Sequence, residues 1–140
     1  NKPVDIPPNS ARAFFQGGDL IPDASLNLYE VNCELQVNTV IEARQTVQPG
    51  QFSIIRIIQD QSPIVLLKPV MYAAVGFGWG YQSAPVDIKR FYTFRLESET
   101  QPLVRAVICR GVQDTPFMAE LPTYEEMQAA VGEYIEFNLF

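Results

Sequence analysis

The chain predicts an all-β fold, an antiparallel β-sandwich or small barrel of seven to eight strands with one short C-terminal helix. Three observations predict it. Residues 29–38 alternate without a fault: Tyr29, Val31, Cys33, Leu35 and Val37 are apolar, and Glu30, Asn32, Glu34, Gln36 and Asn38 are polar. Period two is that of a strand with one face in a core and one in water. Short apolar runs then recur with turn chemistry between them, and the strand–helix alternation of a parallel sheet is missing. At 140 residues, 47% hydrophobic and 19% charged, the chain suits one domain that buries its own core.

Residues 1–25 read as a Pro/Gly-rich leader or tether, and residues 26–140 as a single β domain. Pro3, Pro7, Pro8, Gly17, Gly18 and Pro22 punctuate the leader. That composition predicts loop, with at most one helical turn over residues 10–15. Phe14 and Phe15 imply that part of the leader packs. A disordered leader and a lipid or leader tether to a membrane or partner are the two readings of this segment.

The first strand spans residues 26–38, and a second extended segment spans 39–47, with a bend or bulge at Asn38. Gln48-Pro49-Gly50-Gln51 fits a type II turn, in which proline presets φ at the second position and glycine takes a positive φ at the third. A hairpin with residues 52–58 follows. In that strand the Ile54-Ile55 and Ile57-Ile58 pairs predict cover on both faces. Asp60-Gln61-Ser62-Pro63 reads as a turn and residues 64–67 as a short strand. The next strand candidate, residues 70–81, carries Val75, Phe77, Trp79 and Tyr81 on one face and Gly76, Gly78 and Gly80 on the other.

Residues 88–97 place Tyr92, Phe94 and Leu96 on one side, residues 98–102 form a polar turn, and residues 103–112 form a strand. Thr123-Tyr124-Glu125-Glu126 is a capping box, and Gly132 fits the position just past a helix end. These signals bound a two-turn helix over residues 124–131, with Met127 and Val131 as its apolar stripe. Residues 134–139 alternate again, with Ile135, Phe137 and Leu139 on one face, and read as a last strand.

The chain has no histidine. That removes the Ser–His and Cys–His routes to an activated nucleophile and the commonest zinc ligand. No cofactor, metal or catalytic residue is expected. The net charge of −6 disfavours nucleic acid, whose binding comes from neutralised phosphates. The longest hydrophobic stretch, residues 69–81, is broken by glycines and too short for a transmembrane segment.

Cys33 and Cys109 both fall on the inward parity of their strands, so they can meet across a sandwich or between neighbours. A disulfide is expected if the protein is exported, and two buried free thiols are the alternative. The first residue is Asn rather than Met. Together with the disulfide, this reads as an extracytoplasmic protein of the periplasm, the cell surface or the secreted fraction.

The run Gly-Phe-Gly-Trp-Gly-Tyr, residues 76–81, makes Phe77, Trp79 and Tyr81 the candidate binding residues. A row of aromatic rings stacks on sugars or anchors a partner, and the glycines admit a close neighbour. The alternative is that the rings are core. Asp114, with Asp60 and Asp87, supplies the acid groups a hydrolase would use, although aspartates in turns commonly cap their own backbone. Glu30 and Glu34 are expected on the wet face of their strand, and Lys68 and Lys89 in solvent. The functional expectation is a non-enzymatic extracytoplasmic binding or structural module, part of an envelope or surface assembly, with a protein partner or self-assembly. An aspartate-dependent hydrolase centred on Asp114 and a carbohydrate-binding module using Trp79 and Tyr81 are the alternatives.

Overall fold

The structure, a computed structural model, describes residues 2–27, 29–64 and 87–138. The strands expected at 64–67 and 70–81, with the aromatic row, lie outside the described residues but for Ile64. The chain forms β1 (Val4–Ile6), β2 (Ser10–Gln16), β3 (Asp19–Ile21), a single 3-10 turn (Asp23–Ser25), β4 (Asn32–Ile41), β5 (Gln45–Val47), β6 (Ser53–Ile64), β7 (Asp87–Glu97), β8 (Val104–Arg110) and α1 (Tyr124–Val131). A six-stranded sheet runs β3-β2-β4-β8-β7-β6, and β1 and β5 make a separate pair. All these pairings are antiparallel. The predicted class, antiparallel β with one short C-terminal helix, is the one observed.

One face of the large sheet carries the core. Phe15, Cys33, Leu35, Val107, Cys109 and Phe94 are buried there, against Val4, Ile6 and Val47 of the small sheet and Met127, Ala130 and Val131 of α1. The helix begins as its capping box dictates: Thr123 Oγ1 accepts from Glu126 N at 3.1 Å, and Thr123 N donates to Glu126 Oε1 at 2.9 Å. It ends at Gly132, whose φ is +56°. A Cβ there would meet Gly18 O at 2.6 Å and Gly18 Cα at 2.8 Å. Gly132→Ala therefore combines a left-handed backbone with a backbone clash, and should cost roughly 2–3 kcal/mol in urea unfolding.

Residues 2–25 are not one continuous loop, and residues 10–15 are strand rather than a helical turn. They contain three strands, with Phe15 at the centre of the core. Gly17 and Gly18, at φ +63° and +86°, make the two-residue turn between β2 and β3, where Gln16 faces Asp19. Positive φ at both central positions is the geometry that matches the twist of a hairpin.

The first domain strand starts at Asn32 rather than residue 26, and Tyr29 is 67% exposed. It runs on to Ile41 without ending at Asn38, and the bulge expected there falls in an irregular stretch: the register shifts between Gln36 and Val37 against β8 and between Gln36 and Ile41 against β2. The hairpin expected across residues 48–51 does not form: β5 pairs with β1, and β6 pairs with β7. Gly50 has no positive φ. The cause is Gln101, whose side chain accepts from Gln48 N at 2.8 Å and donates to Gln48 O at 2.9 Å. That amide draws the segment toward the turn before β8. Residues 60–63 are not a turn but part of β6, where Pro63 sits opposite Ile88. Proline is tolerated on such a strand because β6 has no second neighbour among the described residues to bond its nitrogen.

Residues 134–138 belong to no strand. Gln128 takes the place of a neighbouring strand. Its Nε2 donates to Ile135 O at 2.6 Å, and its Oε1 accepts from Phe137 N at 3.1 Å. Tyr124 Oη adds a bond to Phe137 O at 2.8 Å, and the Phe137 ring packs 5.5 Å from Phe94.

Two charged residues expected in solvent are buried. Glu34 is 0% exposed and Lys89 3%. Burial lowers the Lys89 pKa, and the nearby Arg110 adds repulsion. With the folded pKa depressed, the unfolded chain binds more protons above it, so stability rises as pH climbs through the folded value toward the ordinary lysine range. Lys89→Met should remove that rise and stabilise the domain at neutral pH by about 1 kcal/mol, read from urea midpoints across pH.

Candidate functional site

Among the described residues, the second layer stops short of the edge of the large sheet. The small sheet, α1 and the 134–138 tail cover the core from β2 to β7, where Phe15 lies 5.4 Å from Tyr134 and Phe94 meets Phe137. Beyond β7 lies β6, the outermost of the described strands. Ile57 faces the inner side beside Phe94, yet it is 52% exposed. No residue of β6 for which burial is described is fully buried.

A cleft of about 950 Å³ opens where the cover stops. Its floor is apolar: Leu35, Val107, Phe94, Leu96 and Ile54. One wall is the 48–52 segment that Gln101 holds, and the other is the tail that Gln128 holds. Lys2 stands at the rim, donating to Glu133 at 2.8 Å and lying 5.4 Å from the Tyr134 ring. Hydrogen bonding to Glu133 raises the Lys2 pKa and lowers that of Glu133. Both groups are exposed, so the pair orients the rim without adding much stability.

Five consecutive residues of β6, Ser53 to Ile57, line this cleft. Alternate residues of a strand point to opposite faces. Residues of both sets border this cleft. A bulge adds to this. Ile54 pairs with Leu96 and Arg56 with Arg95, leaving Ile55 as the extra residue. A bulge bends its strand and redirects a side chain, and Ile55 is 58% exposed. Arg56 and Arg95 stand directly opposite, and among the described residues neither has a carboxylate partner. Like charges in that relation destabilise a sheet.

Cys33 and Cys109 are bonded, with S–S 2.04 Å. Of the two arrangements open to them, they take the one between neighbouring strands: they face each other on β4 and β8, Cα to Cα 4.0 Å. Both are fully buried, so the bond is a staple inside the sheet and not an exposed redox group.

Asp114 exchanges both backbone hydrogen bonds with Ile88, at 2.8 and 3.1 Å, and its Oδ1 accepts from Thr115 N at 2.7 Å. It borders a pocket of about 100 Å³ together with Glu120 and Glu126. That space is small for a substrate, and Glu126 is engaged as the helix cap. Asp60 Oδ1 accepts from Gln61 N at 2.8 Å. Asp87 Oδ2 accepts from Gln113 Nε2 at 3.1 Å. Among the described residues no cluster of three acidic or thiol side chains could hold a metal, and no helix is long and apolar enough to cross a membrane. Phe77, Trp79 and Tyr81 lie outside the described residues.

The β6 edge was missed from sequence because its isoleucine pairs resemble a strand covered on both faces. The available signal was Arg56, a charge between the two pairs that such a strand would have to bury. Comparison with family models, with curated proteins and with solved structures gives no match to this chain.

Proposed function

We propose that this protein is a non-enzymatic extracytoplasmic binding module whose contact surface is the apolar-floored cleft at the β6 end of the sheet. The observation that carries the reading is the continuity of that cleft with an exposed strand edge bearing Ile55 and Ile57. A cleft of this volume falls in the range of ligand sites, and an apolar patch open to water beside polar groups is the usual mark of one. The aspartates are engaged in turns and side-chain bonds, which favours binding over hydrolysis. The buried disulfide favours an oxidising compartment.

The test is selection of a random linear twelve-residue peptide library on the immobilised full chain. Enriched peptides should bind, and binding should be lost in an Ile55→Lys/Ile57→Lys variant, whose exposed positions leave the core untouched. No enrichment, or equal binding to the variant, would overturn the reading.

A further inference from the structure

We infer that the β6 edge receives an extended segment of a partner protein as an added strand, with an acidic residue of that segment facing Arg56 and Arg95 and apolar side chains at alternate positions entering the cleft. The inference rests on the binding-module reading above and specifies its ligand. Three observations select this occupant.

The first is the backbone. β6 is hydrogen-bonded only to β7 among the described strands, and no described residue pairs with the N–H and C=O groups along its other edge. An apolar molecule would fill the cleft and leave those groups to water. A peptide strand pairs with them, and strand addition takes its affinity from such main-chain bonds.

The second is the shape. Five consecutive residues of β6, Ser53 to Ile57, border the cleft, so its apolar floor lies directly beside that strand. A strand laid along that edge sends every second side chain over the apolar floor and the others to the opposite face. Pockets that read alternate side chains are how an added strand acquires specificity.

The third is charge. On the face opposite Phe94, Arg56 and Arg95 sit side by side without a carboxylate partner among the described residues. A second copy of this chain, pairing β6 with β6 about this point, would bring two more arginines into the cluster. The net charge of −6 on each copy opposes that dimer further. An acidic residue on a partner strand resolves the repulsion instead, as opposite charges across a strand pair attract.

The experiment uses the peptides enriched on the full chain, made with a fluorescent label, and their affinity read by anisotropy. An N-methyl scan walks one methyl along the peptide backbone. Methylation at every second amide should weaken binding by about tenfold or more, with little change between, since only alternate amides face β6. The enriched sequences should share period-two apolar positions and an Asp or Glu. Arg56→Glu should weaken binding about tenfold, and replacing the peptide carboxylate by Lys should restore it. Tolerance of methylation at all positions, or no rescue by the charge swap, would overturn strand addition while leaving the binding-module reading standing. Failure to enrich any peptide would overturn both. Sedimentation of the peptide-free chain as a dimer that Arg56→Glu alters would assign the edge to a second copy, and would also overturn the inference.

Discussion

Glu34→Ala should destabilise the domain by about 3–5 kcal/mol, the largest loss expected from any single charged residue here. Glu34 is wholly buried on β4, on the face opposite the core. Its Oε1 pairs with Arg110 on β8, and its Oε2 lies 3.5 Å from Arg12 Nε on β2 and accepts from Gln36 Nε2 at 3.1 Å. One carboxylate thus ties three adjacent strands. Its removal leaves the Arg110 guanidinium partly buried with no counter-charge among the described residues, next to Lys89. Breaking a buried pair on one side costs more than removing both partners. Glu34→Leu/Arg110→Leu should therefore recover much of the loss. Urea unfolding of the two variants checks this, and a loss under about 1 kcal/mol for Glu34→Ala would mean that water reaches the site.

The second large effect concerns the disulfide. Cys33 and Cys109 are 76 residues apart in sequence and close a loop over most of the domain. The chain-entropy model assigns such a loop about 4 kcal/mol, acting through the unfolded chain. Cys33→Ala/Cys109→Ala should lose about that much and fold more slowly, because β4 and β8 must then find each other across the whole intervening chain. Denaturant unfolding of the oxidised protein and the variant measures it. An unchanged midpoint would mean that strand pairing alone fixes the register of β4 on β8.

Some signals confined to a few adjacent residues match the structure. The alternation around Cys33 gave the inward parity, and Cys109 shares it. The capping box placed α1 at Tyr124–Val131, and the strand over residues 88–97 became β7 with one added residue. What failed depended on partners distant in sequence. Period two says that the faces of β4 differ, but not that the polar one is wet. Arg12 and Arg110 decided that, by making a dry place for a carboxylate. The same gap made β6 look central: four isoleucines report a strand, and only the topology reports that nothing described lies beyond it. The Gln48–Gly50 turn was overridden by the Gln101 amide, and the last strand by Gln128. Side-chain amides that bond backbone leave no periodic trace. The Gly17-Gly18 hairpin was legible and was masked by the proline content around it. The cleft was not legible, since it exists only where the second layer stops.

Amide chemical-shift mapping tests the central claim most directly. The uniformly labelled full chain is titrated with a peptide selected on it. The account predicts shifts concentrated at residues 53–57 and 94–96, with the Asp114 loop and the exposed face of α1 unchanged. Shifts centred on Asp114 and Glu120, with the β6 edge silent, would contradict it.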